Sequence, residues 1–199
     1  MNFLELQDEV ISDRFGADRR GKVKNWINYR YGRLWAAEDW GFKKQSTTLV
    51  AAGGVSSVAS TGIGDIISFS DITQGTGNYP LMSYFQDEFY EHSVTTAAVP
   101  SAYTKIGDTI YFNSVLPTTM TFRVLSKIPF TPLSQDSDVP LIPVEFHYLL
   151  VVGAASEGLR QENDPSWQGE EDDYQQGVED MKSEYISSGR GWSHYPSWP

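Results

Sequence analysis

The sequence contains no cysteine and only three histidines among its 199 residues. Without cysteine the chain can form neither a disulfide nor a thiolate metal site, and it has no cysteine nucleophile. The histidines, His92, His147 and His194, are isolated, and the H-x-x-x-H and H-E-x-x-H spacings of zinc sites do not occur. We therefore predict no metal site, and we interpret His147, which falls in a predicted helix, as a core or interface residue.

Signatures of membrane insertion, secretion and catalysis are also missing. No apolar run reaches the length of about eighteen residues that a membrane span needs, and the acidic, amphipathic N-terminal residues are unlike a signal peptide. The patterns of P-loops and of many serine hydrolases do not occur. Two groups of acids, Asp136 with Asp138 and residues 170–173, fall in predicted loops or on a solvated helix face, whereas paired catalytic carboxylates need a cleft. We predict that the protein is not an enzyme and binds no cofactor.

Basic residues are scarce outside the first quarter of the chain. The formal net charge is −11, from 26 acidic and 15 basic residues. Residues 1–44 carry a net charge of +2, residues 45–156 carry −6, and residues 157–199 carry −7. Because nonspecific binding to nucleic acid depends on Lys and Arg displacing counterions, this net charge disfavours binding to DNA or RNA. Solubility is the simpler interpretation of the excess of acids.

Aromatic residues are abundant, and they concentrate first in the stretch KVKNWINYRYGRLWAAEDWGF, residues 22–42. Its apolar positions recur at helical spacing, which predicts a helix from Lys22 to Ala37 with one buried face. The alternative is that this face is an interface. The predicted stripe comprises Val23, Trp26, Ile27, Tyr31, Leu34 and Trp35. Trp40 and Phe42 follow the helix and are expected to enter an extended segment.

The remaining elements follow from changes in hydrophobic period. A first helix is predicted over residues 2–15, with Asn2 as its N-cap. Short alternating runs between residues 45 and 133 predict strands, including the run 81–86 and a hairpin around Gly107 and Asp108, with one helical turn near residues 87–93. From Pro143 a third helix carries Ala and Gly on one face, which permits close helix packing. A fourth, acidic helix is predicted to start at Pro165.

These elements predict an α+β fold. Residues 1–44 and 141–162 are expected to form a helical bundle, into which a small antiparallel β module of residues 45–140 is inserted. Residues 163–199 are expected to form the acidic helix and an extended, aromatic C-terminal tail.

The tail ends in GRGWSHYPSWP, where large rings stand in an otherwise polar segment. Such rings are typical of docking sites, because aromatic anchors supply much of the energy of binding interfaces. A merely sticky terminal segment is the alternative. The predicted partner-binding residues are Trp192, Tyr195 and Trp198 in the tail, with Trp167 and Tyr185 in the acidic helix.

Several motifs resemble those of the head–tail adaptor (connector) family of tailed bacteriophages. They are V-K-x-W-I-N-x-x-Y-x-x-L from Val23 to Leu34, D-W-G-F at residues 39–42, TIYF at 109–112, FRVLSKIPFTPL at 122–133 and LIPVEFHYLLVVGAA at 141–155. Their order matches the family over residues 3–160, whereas the acidic extension departs from the family core.

The resemblance implies a structural virion protein of the neck, assembled in the host cytoplasm, with no catalysis and no membrane. Its copies would form a ring of twelve beneath the portal protein, with the helices toward the portal and the β module toward the distal tail or nozzle protein. DNA would pass through the ring without specific binding, and an acidic lumen would let it slide. The alternatives are another phage connector, such as a stopper or tail-completion protein, and an unrelated β-rich binding module.

Overall fold

Five α-helices and eight β-strands occupy the residues that the computed structural model describes, which are 1–73 and 79–186. The helices are α1 (Phe3–Arg14), α2 (Arg20–Ala37), α3 (Gln86–Glu91), α4 (Tyr148–Gln161) and α5 (Trp167–Tyr185). The strands are β1 (Lys44–Ala51), β2 (Ser57–Ala59), β3 (Ile66–Asp71), β4 (Tyr79–Pro80), β5 (Met82–Ser83), β6 (Ala102–Ile106), β7 (Thr109–Phe112) and β8 (Met120–Lys127). The α+β class predicted from the sequence is confirmed.

The chain divides into two compact units. A helical unit comprises residues 1–43 and the chain from Phe130 onward, and a β unit comprises residues 44–129. The sequence analysis placed residues 130–140 with the strands, but the structure groups them with the helices. The ring of Phe130 lies 5.1 Å from that of Tyr31, and the backbone of Leu133 exchanges two hydrogen bonds with the side chain of Asn28, of 2.8 and 2.9 Å. These contacts hold the segment on α2.

The helical unit begins with a capping box. The side chain of Asn2 accepts a hydrogen bond from the backbone N–H of Glu5, and the carboxylate of Glu5 accepts one from the N–H of Asn2, both at 2.9 Å. These bonds satisfy N–H groups that a helix start leaves without partners. The N-cap predicted at Asn2 is therefore confirmed, and so is burial of the predicted α2 stripe, every member of which is buried.

Trp40 and Phe42 close the end of α2. The indole N–H of the fully buried Trp40 donates to the carbonyl of Leu34 at 2.8 Å, and the ring of Phe42 stacks on it with centroids 5.8 Å apart. Phe42 lies in a 3-10 turn, Gly41–Lys43, and not in the extended segment that the sequence predicted.

Glycines let α4 approach its neighbours closely. A Cβ atom at Gly158 would lie 2.5 Å from Phe15 and 2.6 Å from Trp26, and one at Gly153 would lie 2.9 Å from Tyr174. Only a residue without a side chain fits at such distances. The close packing predicted from the Ala and Gly residues of this helix is confirmed. The acidic helix starts at Trp167, two residues after the predicted Pro165.

The β unit contains two four-stranded sheets. Their strand orders are β1-β8-β3-β4 and β2-β7-β6-β5. The predicted hairpin joins β6 to β7, and Gly107 occupies its turn with φ +59°. β5 pairs parallel to β6, so the module is not wholly antiparallel as predicted. β5 is short because α3 begins at Gln86, where Asp87 and Glu88 favour a helix start.

Candidate interaction surfaces

The acidic helix α5 is attached to the other helices by charge as well as by apolar packing. Three ion pairs join it to α1, to α2 and to the residue after α2: Arg14 with Glu170, Arg30 with Glu171, and Lys182 with Glu38. Tyr174, Val178 and Met181 form the buried side of α5. One face of α5 is therefore committed to the fold.

The central ion pair joins a buried Arg30 to a half-buried Glu171. Arg30, which is 7% exposed, makes two hydrogen bonds to Glu171, of 2.7 and 3.1 Å, and approaches Glu157 at 3.5 Å. Its guanidinium also lies 4.9 Å from the centre of the Tyr174 ring. Burial alone would raise the pKa of Glu171, but hydrogen bonds from Arg30, Gln175 and Ser156 outweigh burial and lower it. Glu171 is therefore held as a carboxylate.

The opposite face of α5 is an open acidic surface. Its exposed acids are Asp172, Asp173, Glu179 and Asp180. Lys182 offsets part of this charge through its ammonium, 2.8 Å from Glu179. A surface of this sign repels phosphate backbones.

The five predicted partner-binding residues fall into two groups. Trp167 is half-buried at the first position of α5. Tyr185 is half-buried at the last position; its hydroxyl donates to Glu145 at 2.6 Å and its ring lies 6.0 Å from that of Phe146. Trp192, Tyr195 and Trp198 lie outside the described residues. Tyr185 therefore serves the packing of its own chain in this structure.

Large apolar side chains are exposed at the end of α5 and in the segment 141–148, which Tyr185 contacts through Glu145 and Phe146. We call this surface the exit patch, and it comprises Leu141, Val144, Tyr148 and Ile186. Val144 is 70% exposed and Tyr148 is 44% exposed. The sequence analysis expected one helix from Pro143 onward, so it did not find this surface.

A second exposed apolar surface lies on the β unit. In segment 79–99 the exposed side chains are Tyr79, Met82, Phe85, Tyr90, Val94 and Val99. Phe85 is 84% exposed and lies beside a groove of about 410 Å³ that Tyr103 and Lys105 also line. The signal in the sequence was a run of large apolar residues mixed with acids, which the sequence analysis interpreted as a strand and a helical turn.

Polar groups near these surfaces form hydrogen bonds within the protein. The ammonium of Lys105 donates to the carbonyls of Ile63 and Gly64, at 2.7 and 3.3 Å. His147 is buried and hydrogen bonded to the carbonyl of Ile142 at 3.1 Å, and burial lowers its pKa. Among residues 1–73 and 79–186, no three His, Asp or Glu side chains come together as metal ligands, and no helix there is long and apolar enough to cross a bilayer.

A family model described as the SU10 adaptor protein matches residues 1–194. The chain belongs to this family of phage head–tail adaptors. No curated protein matches it. The family match continues through the acidic extension of the adaptor, which the sequence analysis had left outside the resemblance. The adaptor is accordingly a structural component of the virion neck that associates with other head and tail proteins.

Proposed function

We propose that the adaptor forms a closed ring of twelve copies between the portal protein and the distal tail or nozzle protein, and that the ring lines the channel through which DNA leaves the head. The observation that carries the proposal is the family match over residues 1–194. The helical unit would contact the portal and the β unit would face the tail, as the family resemblance implies.

The two exposed apolar surfaces support self-association. A ring built from identical copies needs two different surfaces that fit each other, because the contact is head-to-tail. The exit patch belongs to the helical unit and segment 79–99 to the β unit, so the adaptor carries two apolar surfaces of different composition. Exposed apolar surfaces often mark sites of contact with other proteins.

The acidic surface of α5 supports the proposal that DNA passes through the ring without being bound. A net charge of −11 and the open face formed by Asp172, Asp173, Glu179 and Asp180 disfavour binding to phosphates. A channel wall of this sign would let the duplex pass without being held.

The aromatic residues of the C-terminal region would add a further contact. We propose that Trp192, Tyr195 and Trp198, with Trp167 and Tyr185, bind a neighbouring virion protein, because clustered aromatic residues are common anchors of interfaces. In this role the ring of Tyr185 would exchange its present contact with Phe146 for one with the partner.

The experiment is a reconstitution with the portal protein of the same phage. The adaptor alone is expected to elute as a monomer or weak oligomer in size-exclusion chromatography with light scattering, and to form rings visible by electron microscopy after portal is added. Deleting residues 189–199 should leave the far-ultraviolet circular dichroism spectrum unchanged and weaken ring formation. Failure to form a ring on portal, or a ring only with a tail protein, would contradict the proposed position.

A further inference from the structure

We propose that the exposed side of α2 binds the acidic side of α5 in a second copy of the adaptor. This contact rests on the self-association proposed above and names the two surfaces that meet. The first surface, which we call the α2 face, comprises Lys22, Asn25, Tyr29 and Arg33. The second, the α5 face, comprises Asp173, Gln176 and Asp180. All seven side chains are exposed, and steps of three or four residues place the members of each set on one side of their helix.

The α2 face carries positive charges that have no carboxylate partner in the fold. The other bases of α1 and α2 each form an ion pair with an acid of the helical unit, as Lys24 does with Asp136. Lys22 and Arg33 have no acid within ion-pair distance in the part of the chain that the structure describes. Their charges are therefore available to an acidic surface of another molecule.

Tyr29 gives the α2 face an apolar centre. Its side chain is 45% exposed, and the guanidinium of Arg33 lies 5.9 Å from the centre of its ring and donates to its hydroxyl at 3.1 Å. Tyrosine and arginine are enriched among the residues that supply most of the energy of binding interfaces. A groove of about 310 Å³ beside the ring is lined by Lys22, Tyr29 and Gln161 among others. A partner side chain therefore has room to enter there.

The α5 face has the complementary charge. Asp173 and Asp180 lie two helical turns apart, about 11 Å along the axis, and neither is paired with a base from residues 1–73 or 79–186. Lys22 and Arg33 are about 16 Å apart along α2. Lysine and arginine have long, flexible stems, so their charged groups can approach the two carboxylates together.

An exposed tyrosine also adjoins the α5 face. Burial, followed by the charge of Asp180, raises the pKa of the hydroxyl of Tyr148, a member of the exit patch. The effect of this charge shows that the two side chains are neighbours. Each of the two surfaces thus combines charges with an exposed tyrosine. The combination matters because exposed ion pairs alone contribute little binding energy, whereas apolar contact can contribute more.

The two sides of α5 suit a head-to-tail arrangement. Gln175 and Lys182 line a groove together with residues of α2, so this side of α5 faces α2. Successive residues of a helix are about 100° apart, which places Asp173 and Asp180 across the buried stripe from that side. The α5 face and the side toward α2 therefore point in nearly opposite directions. One copy can receive a neighbour beside α2 and present its α5 face to the next, as a closed ring requires.

The test is reversal of charge on either surface. One variant carries Lys22→Glu with Arg33→Glu, and the other carries Asp173→Lys with Asp180→Lys. Each should need a roughly tenfold higher concentration than the parent for half-maximal ring formation on portal, scored by electron microscopy, because like charges then face each other across every contact. An equimolar mixture should assemble at the parent concentration, since alternating copies place opposite charges across each contact. Mixing would not repair a lost contact with portal.

The matched control is Asp172→Lys with Glu179→Lys. It makes the same change in net charge as the α5 variant, on the part of α5 between its two sides, and it should assemble like the parent. Every substituted residue is exposed, so circular dichroism spectra should be unchanged. Reversal variants that assemble like the parent, or a mixture that assembles no better than its components, would overturn this contact and leave the ring intact. A parent that forms no ring on portal would contradict the proposed function as well.

A second measurement needs no portal and uses the absence of native cysteine. A chain with Asn25→Cys and a chain with Gln176→Cys are mixed at high concentration and treated with a short bismaleimide cross-linker. The mixed dimer should form roughly tenfold faster than a dimer of either variant alone, because the contact holds these two positions at a high effective concentration. Equal rates, or faster dimerisation of one variant with itself, would contradict a contact between unlike surfaces.

Discussion

The two units of the adaptor have different interiors. The helical unit buries ionisable groups, including Arg30, Lys43, His147 and Glu157. The β unit buries mainly aromatic and aliphatic side chains. Among its described residues, 44–73 and 79–129, the buried polar ones are Ser60, Asp71, Thr104, Ser114 and Ser126. In the β unit the rings of Phe69, Phe112 and Phe122 contact one another directly, with centroids 4.9 to 6.1 Å apart.

The difference shows which contacts fix the positions of the strands and of the helices. A sheet is held in register by its backbone hydrogen bonds, so an apolar core suffices. A helix such as α5 has satisfied its own backbone and can slide or rotate on its neighbours. Directional contacts, such as the paired hydrogen bonds from Arg30 to Glu171, restrict it to one position. The ammonium of Lys43 acts similarly at the end of α2, where it donates to the carbonyls of Trp35 and Glu38 at 2.8 and 2.6 Å.

Removal of a large ring should have the largest effect in either interior. Trp26→Ala in the helical unit, where the ring is 4% exposed, and Phe122→Ala in the β unit should each lower the free energy of unfolding by about 3–5 kcal/mol. Urea denaturation followed by circular dichroism measures this loss. Phe85→Ala, at an exposed ring, serves as control and should change stability by less than about 0.5 kcal/mol. Normal stability of Trp26→Ala would mean that the α2 stripe serves as an interface and not as core.

Loss of the buried guanidinium should come next and should affect the helical unit. Arg30→Met leaves the carboxylate of Glu171 without its cation and is expected to cost about 3 kcal/mol, the lower end of the range for broken buried pairs. Arg33→Met, one turn away on the exposed side of α2, is the matched control and should cost less than about 0.5 kcal/mol.

The double variant Arg30→Met with Glu171→Gln sharpens this test. It should regain part of the loss, because no unpaired charge remains. A double variant that is less stable than Arg30→Met would show that the charge of Glu171 is stabilised by groups other than Arg30.

The helices were more predictable from the sequence than the boundaries of the units. The apolar spacing of α2 and the alternation of β8 are local patterns. In the structure, buried residues recur every three or four positions along α2 and at every second position along β8. The end of the β unit at Pro129 depends instead on distant contacts, such as the ring of Phe130 against those of Tyr31 and Trp35. No pattern within residues 130–140 encodes those partners.

The candidate surfaces were the least predictable feature. Val144 and Tyr148 have the spacing of a buried helical stripe, yet their exposure depends on which face α5 covers. Phe85 lies next to the start of α3, where the local sequence also fits a strand. Prediction of an exposed apolar residue requires knowledge of what packs against it, whereas prediction of a helix requires only its own sequence.

Lowering the pH should reduce the stability of the helical unit through its buried and half-buried ionisable groups. The folded state lowers the pKa of His147, mainly by burial, so the unfolded chain binds a proton more readily there. This contribution is complete above the usual value of 6.5 and is lost as the pH falls through the lowered pKa. The pKa of Glu171 is also lowered, so its contribution is present above its usual 4.5 and is lost as the pH falls further.

Unfolding midpoints in urea at pH 7, 5 and 4 test this sequence of losses. The effect is expected to be smaller than that of Arg30→Met. His147→Gln should remove the change between pH 7 and 5 and retain the change below pH 4.5. If the change in urea midpoint between pH 7 and 5 is the same in this variant as in the parent, a group other than His147 causes it.

The smallest expected changes in stability come from two glycine substitutions, which separate the effect of backbone conformation from that of packing. Gly107 in the β6–β7 turn has φ +59°, and no atom lies within 4 Å of a Cβ placed there. Gly107→Ala should therefore lower stability by about 1 kcal/mol through the left-handed backbone alone. A Cβ at Gly169 in α5 would also have no atom within 4 Å, but the backbone there is helical. Because Ala favours the helix more than Gly does, Gly169→Ala should raise the free energy of unfolding by up to about 1 kcal/mol. Opposite signs in urea denaturation are expected because the added methyl group meets nothing at either position. Gly107→Asn should cost less than Gly107→Ala, since Asn tolerates the left-handed region, and an equal cost would point to lost solvation of the turn instead of strain.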